Sequence, residues 1–155
     1  TLCCRIRSSQ KQSLKLLSLS INGLTVRNLT ELDYSKHLVQ WWKDWNWVAP
    51  VKEFLPDSGK GGVMVLDNDI PVCAGFIYVT NSKVAWVEWI ISNKKYRDRR
   101  SEAISMLVES LTNICQSNGA KFVYALLKHN GLIETYEKLG YIAGDSYNKE
   151  MIKAL

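Results

Sequence analysis

The chain contains few of the residues on which metal centres and disulfide frameworks depend. Only two histidines occur among 155 residues, His37 and His129, and they lie far apart. The four cysteines show no C-x-x-C spacing: Cys3 and Cys4 are adjacent, and the other two stand alone in apolar segments. This composition predicts neither a zinc site nor a disulfide framework. Reduced thiols are typical of the cytosol, so we expect a cytoplasmic protein without a metal.

Long hydrophobic runs are also missing. No apolar stretch approaches the roughly 20 residues that a membrane-spanning helix needs, so we expect no membrane partner. Prolines number only three, and no internal repeat or low-complexity linker divides the chain. A length of 155 residues with 46% hydrophobic and 23% charged residues is typical of one globular domain.

Acidic residues are absent from residues 1–23, which carry four basic side chains. This Ser- and Leu-rich segment is only weakly periodic, and we interpret it as an N-terminal extension, either vector-derived or disordered. An extra strand or a partner-binding arm is the alternative. The remaining residues, 24–155, are predicted to form the folded domain. They contain 16 basic and 15 acidic residues, a net charge of +1, which argues against a nucleic-acid partner.

The hydrophobic pattern predicts a mixed α/β domain with helices on both faces of one sheet. Strands are predicted over 24–30, 62–66, 72–80, 84–91, 121–127, 141–144 and 148–155. Helices are predicted between a capping box at 30–33 and Trp47, between a basic cluster at 94–100 and Asn118, and over 130–139. The second helix would join strands 84–91 and 121–127 as parallel neighbours, whereas the first half of the sheet would be antiparallel.

Five basic residues lie within the seven positions from Lys94 to Arg100, where a strand gives way to a helix. The partial positive charge at a helix N-terminus disfavours cations there, by about 0.3–1 kcal/mol each. The cluster therefore indicates either a site for an anion or a solvated basic turn without a special role.

Glu88 is the only charged residue in the strand VAWVEWII, residues 84–91. Two-residue alternation predicts that it shares a face with Val84, Trp86 and Ile90. A carboxylate among such neighbours loses hydration, which raises its pKa and suits a general base near neutral pH. A glutamate that faces solvent or pairs with a lysine is the other interpretation.

The segment NGLIETYEKLGYIAG, residues 130–144, resembles the closing motif of the GNAT family of acetyl-CoA-dependent N-acetyltransferases. In that motif an Asn, here Asn130, caps a helix that carries a Tyr and ends in Gly-Phe or Gly-Tyr. The strand VEWII followed by KKYR, and the amphipathic helix after it, are similar to the family as well. The resemblance covers about 24–155, is best from residue 84 onward, and implies the GNAT acyltransferase fold with its mixed central sheet.

The family's pyrophosphate loop reads Arg or Gln, two residues, Gly, one residue, then Gly or Ala. Arg97 fits the first position, but Arg100 and Glu102 stand where the glycines would be. Backbone N–H groups would still be present there, and the arginines would add charge-assisted bonds to phosphates. The resemblance implies the following cofactor-binding residues: Ile90, Ile91, Ser92, Arg97, Asp98, Arg99, Arg100, Ser101, Glu102 and Asn130.

The resemblance implies direct transfer of an acetyl group from acetyl-CoA to a primary amine, with Glu88 as base and Tyr136 as acid. The acceptor would be a small molecule or a peptide, and an exposed C-terminal strand edge would suit a homodimer. The missing loop glycines favour a second hypothesis, a non-catalytic GNAT-fold binding or structural module, of the kind met in phage and environmental sequences. Nucleic-acid binding through the basic cluster is the third and is the least favoured.

Overall fold

A computed structural model describes residues 20–146 and 149–155 of the chain. Within these residues, six strands form one sheet in the order of the sequence. They are β1 (Ser20–Ile21), β2 (Leu24–Asn28), β3 (Gly62–Asp67), β4 (Ile70–Val79), β5 (Val84–Ser92) and β6 (Phe122–Tyr124). The first five pair antiparallel, and β6 runs parallel to β5. The predicted mixed sheet, with an antiparallel first half and one parallel pair, is confirmed, but in the described residues this pair lies at the edge of the sheet and not at its centre.

Helices cover both faces of this sheet. A π-helical turn at Tyr34–Leu38 continues as α1 (Val39–Asp44), and two 3-10 turns, Lys52–Phe54 and Pro56–Gly59, follow in the loop. Helix α2 (Arg100–Ser117) is the connection that makes β5 and β6 parallel, and α3 (Asn130–Lys138) follows β6. None of the described helices is long and apolar enough to span a bilayer.

Two separate cores form because each face of the sheet meets its own helices. The α2-side core includes Val65, Val87, Leu107, Leu111 and Tyr136. The α1-side core includes Leu38, Trp41, Trp42, Phe76 and Ile91. Trp41 and Trp42 of α1 are therefore core residues, and Trp45, which follows the helix, is partly buried against them.

Type I′ hairpin turns fix the register of the first strands. Asn68 and Asp69, both with positive φ, join β3 to β4. Asn22 and Gly23 make the same kind of turn between β1 and β2. Ser20 and Ile21 thus pair with the sheet, although they lie inside the predicted extension; the rest of that segment, residues 1–19, is outside the described residues.

The prediction of two final strands is wrong for the part of the C-terminus that the structure describes. Residues 141–146 and 149–155 contain no strand there. Ile142 is 95% exposed, and Met151, Ile152 and Leu155 are exposed as well. With no buried face to favour one register over another, the alternating apolar residues do not specify pairing.

Candidate active site

Strand β5 is irregular at Trp89, which has a φ of 57°. Few aromatic residues adopt this left-handed conformation. Glu88 pairs with Phe76 of β4 and Ile91 pairs with Ala74, so two residues of β5 oppose the single Gly75. The arrangement is a β-bulge, a feature that often lies next to active sites.

The bulge changes which side chains share a face. Val87 and Ile90 both pack into the α2-side core, with Glu88 on the opposite face between them. The prediction that Glu88 and Ile90 share a face is therefore wrong, because alternation breaks at Trp89. Gly75 permits this packing: a Cβ there would lie 2.6 Å from Ile90 Cδ1 and 2.7 Å from Leu111 Cδ1.

A cleft opens between β5 and β6 beyond their last ladder pair, Trp86 with Tyr124. In the described residues no further pair follows, and β6 is shorter than the predicted 121–127 strand. Glu88 lies in this cleft, where its Oε1 accepts a hydrogen bond from the Leu126 backbone N–H at 2.7 Å. The Glu88 carboxylate thus accepts the hydrogen bond that the Leu126 N–H would donate to the β5 backbone if the ladder between β5 and β6 continued.

Burial raises the pKa of Glu88 to about 7, as the sequence predicts. The hydrogen bond from the Leu126 N–H opposes this increase, and the nearby negative charge of Glu150 adds to it. A carboxylate with this pKa exists in both protonation states near neutral pH, which is the requirement for a general base.

Tyr136 of α3 is buried in the α2-side core, with only 1% of its surface exposed. Its Oη finds no hydrogen-bond partner among the residues that the structure describes. Desolvation raises the pKa of this phenol far above its ordinary value, and the charges of Tyr141 and Glu88 contribute. The phenol therefore stays protonated at neutral pH, so that it can donate a proton but not accept one.

The end of β5 presents backbone groups to the cleft. The Asn93 N–H donates to Val72 O at 2.7 Å, and Ser92 lies opposite Cys73. In an antiparallel ladder this pattern turns the N–H and C=O of Ser92 away from β4, toward the cleft. The Trp45 Nε1–H donates to Ser92 O at 2.8 Å, whereas Ile91 is buried in the α1-side core.

An aromatic stack extends from this point to α3. The rings of Trp45 and Trp47 stack at 5.8 Å, and Trp47 stacks on His129 at 5.1 Å. Two cations also lie near the Trp45 ring, the Lys94 Nζ at 5.1 Å and the Arg100 Cζ at 5.4 Å from its centroid. The stack links the loop after α1 to the start of α3 and to the basic cluster.

A groove of about 350 Å³ lies between the N-terminus of α2 and α3. It is lined by Arg97, Arg100, Ser101, Ile104, Gly131, Leu132 and Thr135. The α2 helix begins after Arg99, and in the described chain no side chain caps it. Two cations and the positive end of a helix dipole therefore meet at one groove, an arrangement that favours a bound anion.

The other residues of the predicted loop point elsewhere. Arg99 makes paired bonds to the Glu102 carboxylate, at 3.0 and 2.9 Å, and an ion pair with Asp67 at 3.5 Å. The negative charge of Glu102 is thus offset by Arg99 and does not face the groove. Arg100 donates to the carbonyls of Lys94 and Tyr96, at 2.7 and 3.0 Å, while it lines the groove.

Asp98 and Asn130 are exposed. Helix α3 begins at Asn130, so the capping position falls on His129, one residue earlier than the sequence predicts. Assignments of helix ends commonly differ by one residue. Within the described residues, no group of three or more His, Cys, Asp or Glu is arranged to hold a metal ion.

The sequence interpretation places Trp86 on the face of Glu88 but does not name the two tyrosines, Tyr78 and Tyr124, that lie beside Trp86. Trp86 and Tyr124 contact each other across β5 and β6, with ring centroids 4.3 Å apart. Tyr78 of β4 pairs with Trp86 and accepts a hydrogen bond from Trp89 Nε1 at 2.8 Å. The positions of Tyr78 and Tyr124 depend on the register of β4 and β6 against β5, which local alternation does not give.

No protein-family model matches the chain, and no curated protein matches it. Solved structures do match. An acetyltransferase from Trypanosoma brucei is 19% identical over 83% of this chain and 99% of its own, with a TM-score of 0.60. Glucosamine-6-phosphate N-acetyltransferase from Arabidopsis thaliana is 15% identical over 84% of this chain and 99% of its own, with a TM-score of 0.61.

An aminoglycoside acetyltransferase from an uncultured soil metagenomic sample is 13% identical over 86% of this chain and 97% of its own, with a TM-score of 0.61. Identities this low establish the fold alone. The mixed sheet, the parallel β5 and β6 and the helices on both faces are those of the GNAT acyltransferase fold.

Proposed function

We propose that the protein transfers an acetyl group from acetyl-CoA to a primary amine while both substrates are bound. The observation that carries this proposal is the buried Tyr136 hydroxyl, which lacks a hydrogen-bond partner in the described residues. The charge of Glu88 contributes to the raised pKa of this hydroxyl. Buried hydroxyls are normally paired. The sulfur of a bound thioester would give this one a partner, so the residues present fit acetyl-CoA.

Two sets of residues would hold acetyl-CoA. Arg97 and Arg100, with the N-terminus of α2, would bind its phosphates through charge-assisted hydrogen bonds. The β5 edge at Ile90 and Ser92 would bond the amide groups of the pantetheine arm. When bound, acetyl-CoA supplies a thioester, whose C–S bond breaks with its electron pair on sulfur as the new N–C bond forms.

Glu88 would take a proton from the acceptor ammonium, directly or through a water molecule, and so free the lone pair of the nitrogen. Tyr136 would donate the proton that the departing sulfur gains. The ammonium loses two protons in becoming an amide and the sulfur gains one, so one proton is released overall. Most of the rate would come from holding amine and thioester together.

The acceptor would be a small molecule or a peptide that carries a primary amine. The names of two structural neighbours, glucosamine-6-phosphate N-acetyltransferase and aminoglycoside acetyltransferase, refer to amine acceptors and support this class. We also propose a homodimer, since β6 is an edge strand of the described sheet and exposes Phe122. Sedimentation velocity tests it, and a single species at the monomer mass would exclude it.

Calorimetric titration with acetyl-CoA tests the cofactor site. We expect micromolar affinity for the wild-type protein. Arg97→Ala should bind about 10- to 100-fold more weakly, since a hydrogen bond to a charged group contributes roughly 1.5–3 kcal/mol. Lys95→Ala removes the same charge from an exposed neighbour that does not line the groove, and its affinity should be unchanged. Equal loss in both variants would indicate a diffuse charge effect.

A non-catalytic module is the second candidate, and two observations favour it. The Arg100 guanidinium already donates hydrogen bonds to backbone carbonyls. The Trp45 indole N–H already donates a hydrogen bond to the Ser92 carbonyl. If these contacts exclude the cofactor, the wild-type protein should show no heat with acetyl-CoA up to millimolar concentration. Trp45→Phe, which keeps a ring but frees the carbonyl, would then be the variant in which to look for recovered binding.

A further inference from the structure

We propose that the acceptor is an arylalkyl amine, bound with its ammonium at Glu88 and its ring against the aromatic side chains that surround Glu88. This inference rests on the proposed function for its chemistry. It commits to a substrate class different from the amino sugar and aminoglycoside named for two of the structural neighbours.

The first support is a cluster of rings on the face of the sheet that carries Glu88. Trp86 lies two residues before Glu88 on β5 and shares its face. Tyr124 contacts Trp86 at 4.3 Å between ring centroids, and Tyr78 lies opposite Trp86 on β4. We call Tyr78, Trp86 and Tyr124 the aromatic floor. All three are half-buried, which leaves part of each ring accessible.

The second support is that the polar atoms at one side of the floor are already engaged. The Trp89 Nε1–H donates to Tyr78 Oη at 2.8 Å, and Tyr78 Oη donates to the Phe54 carbonyl at 2.7 Å. Phe54 meets Trp89 edge to face, with centroids 5.8 Å apart. These contacts hold Phe54 and Trp89 in place as a wall beside the floor, and they engage the Tyr78 hydroxyl and the Trp89 N–H, two groups that could otherwise bind the hydroxyls of a sugar.

The third support is the exposure of apolar groups beside the floor. Phe54 is 44% exposed, and Val51, which begins the same short turn, is 62% exposed. Helix α1 packs farther along the sheet, against Phe76 and Ile91. Apolar surface left open beside a catalytic carboxylate is typical of a binding groove.

Charge complementarity selects an amine as the occupant. Glu88 supplies a negative charge on this face, and the negative charge of Glu150 interacts with the Glu88 carboxylate. Ring faces attract cations as well, by about 0.5–2 kcal/mol depending on desolvation. An ammonium joined by a short linker to an aromatic ring would satisfy both features. A polyhydroxylated amine would instead bury hydroxyls without partners, which costs about 1–3 kcal/mol for each such group.

The test compares 2-phenylethylamine with glucosamine, two primary amines, and with 2-phenylethanol, which lacks the charge. Binding to the full chain is measured by calorimetry, and acetyl transfer by release of CoA thiol. We expect kcat/KM to be at least about tenfold higher for 2-phenylethylamine than for glucosamine, the equivalent of one unpaired buried hydroxyl. We expect 2-phenylethanol to bind more weakly than the amine.

Trp86→Leu and Tyr124→Leu should each weaken 2-phenylethylamine binding about tenfold, the loss expected when an aromatic contact of about 0.5–1.5 kcal/mol and some apolar area are removed. Affinity for acetyl-CoA should be unchanged, which shows that the variants are folded. Trp47→Leu is the matched control, because Trp47 stacks on His129 and lies outside the floor.

The outcomes separate this inference from the proposed function. Acetyl transfer with equal or better use of glucosamine would overturn the inference and leave the proposed function standing. Binding of 2-phenylethylamine that depends on the floor, without acetyl transfer to any amine, would support the aromatic site and contradict the proposed function. Binding that Trp86→Leu and Trp47→Leu reduce equally would overturn the inference.

Discussion

The Tyr136 hydroxyl shows how a single residue can link stability to chemistry. Its oxygen is desolvated in the α2-side core, and the described residues offer it no partner. An unpaired buried polar group of this kind costs about 1–3 kcal/mol of stability. Packing explains the ring but not the hydroxyl, and the proton-donor role that we propose would account for the hydroxyl.

Tyr136→Phe should therefore lower activity without lowering stability. Removal of the unpaired hydroxyl should leave the free energy of unfolding unchanged or increase it, because no bond is lost. Loss of the general acid should lower kcat by about 10²- to 10⁴-fold. Chemical denaturation and a thiol-release assay measure the two effects.

Tyr141 provides the control for this prediction. Its Oη shares a hydrogen bond of 2.6 Å with Thr112 Oγ1, and its ring meets Tyr136 edge to face at 4.7 Å. Tyr141→Phe should lose about 0.5–1.5 kcal/mol of stability, the net value of a typical hydrogen bond, and keep its activity. A Tyr136→Phe variant as active as Tyr141→Phe would remove Tyr136 from the mechanism.

Glu88 predicts a pH dependence of the reaction. Since the pKa of Glu88 is about 7, the basic form becomes dominant above that pH. The value of kcat/KM should rise with pH to a plateau, with its midpoint near 7. Glu88→Gln should lower kcat/KM and abolish the midpoint. A profile in the variant that keeps the same midpoint at reduced height would show that another group is the base.

At the scale of elements, strand β5 shows what its local sequence could predict. Alternation predicts that Glu88 shares a face with Trp86, and the apolar neighbours within the strand predict the direction in which burial shifts its pKa. The bulge at Trp89 is not predictable in this way, since it depends on Gly75 across the sheet and Leu111 on α2. The opposite faces of Glu88 and Ile90 follow from those distant residues.

The loop before α2 is a second example. The sequence shows three arginines at a helix start but cannot say which of them face a ligand. Arg99 forms an ion pair with Asp67 and donates a hydrogen bond to the Asn22 carbonyl. These contacts hold Arg99 away from the groove, which Arg97 and Arg100 line. Partners more than 30 residues away thus decide the composition of the candidate phosphate site.

Gly62 at the start of β3 offers a prediction about the sheet. A Cβ there would lie 1.9 Å from the Gly75 carbonyl oxygen, so the β3 and β4 backbones must separate. Gly62→Ala should destabilise the protein by at least about 1–3 kcal/mol, the usual cost of overpacking. Because Gly75 lies opposite the bulge, we expect weaker acetyl-CoA binding as well.

Gly131 provides the comparison. It lies in the first turn of α3, and a Cβ there would meet no atom within 4 Å. Gly131→Ala should stabilise the protein by about 0.4–1 kcal/mol, since alanine loses less backbone entropy on folding. Thermal unfolding measures both variants. If Gly62→Ala melted at the same temperature as Gly131→Ala, the β3 and β4 backbones would separate at Gly62 with little loss of stability.

At the scale of the whole molecule, Glu88 couples stability to pH. Its pKa is about 7 in the folded protein, against an ordinary value of 4.5. Below pH 4.5 the side chain is neutral in both the folded and the unfolded state. Between pH 4.5 and 7 the unfolded chain releases a proton that the folded protein retains, so the free energy of unfolding falls as pH rises. Above pH 7 both states are ionised and the contribution is constant.

Glu88→Gln removes this coupling while other titrating groups remain. The difference in melting temperature, variant minus wild type, should therefore grow in favour of Glu88→Gln from pH 4.5 to 7 and stay level above 7. Scanning calorimetry of both proteins at matched ionic strength measures it. A difference that is constant across this range would mean that Glu88 is hydrated in the folded protein. The same result would contradict its role as a base, because both expectations depend on burial of one carboxylate in the cleft between β5 and β6.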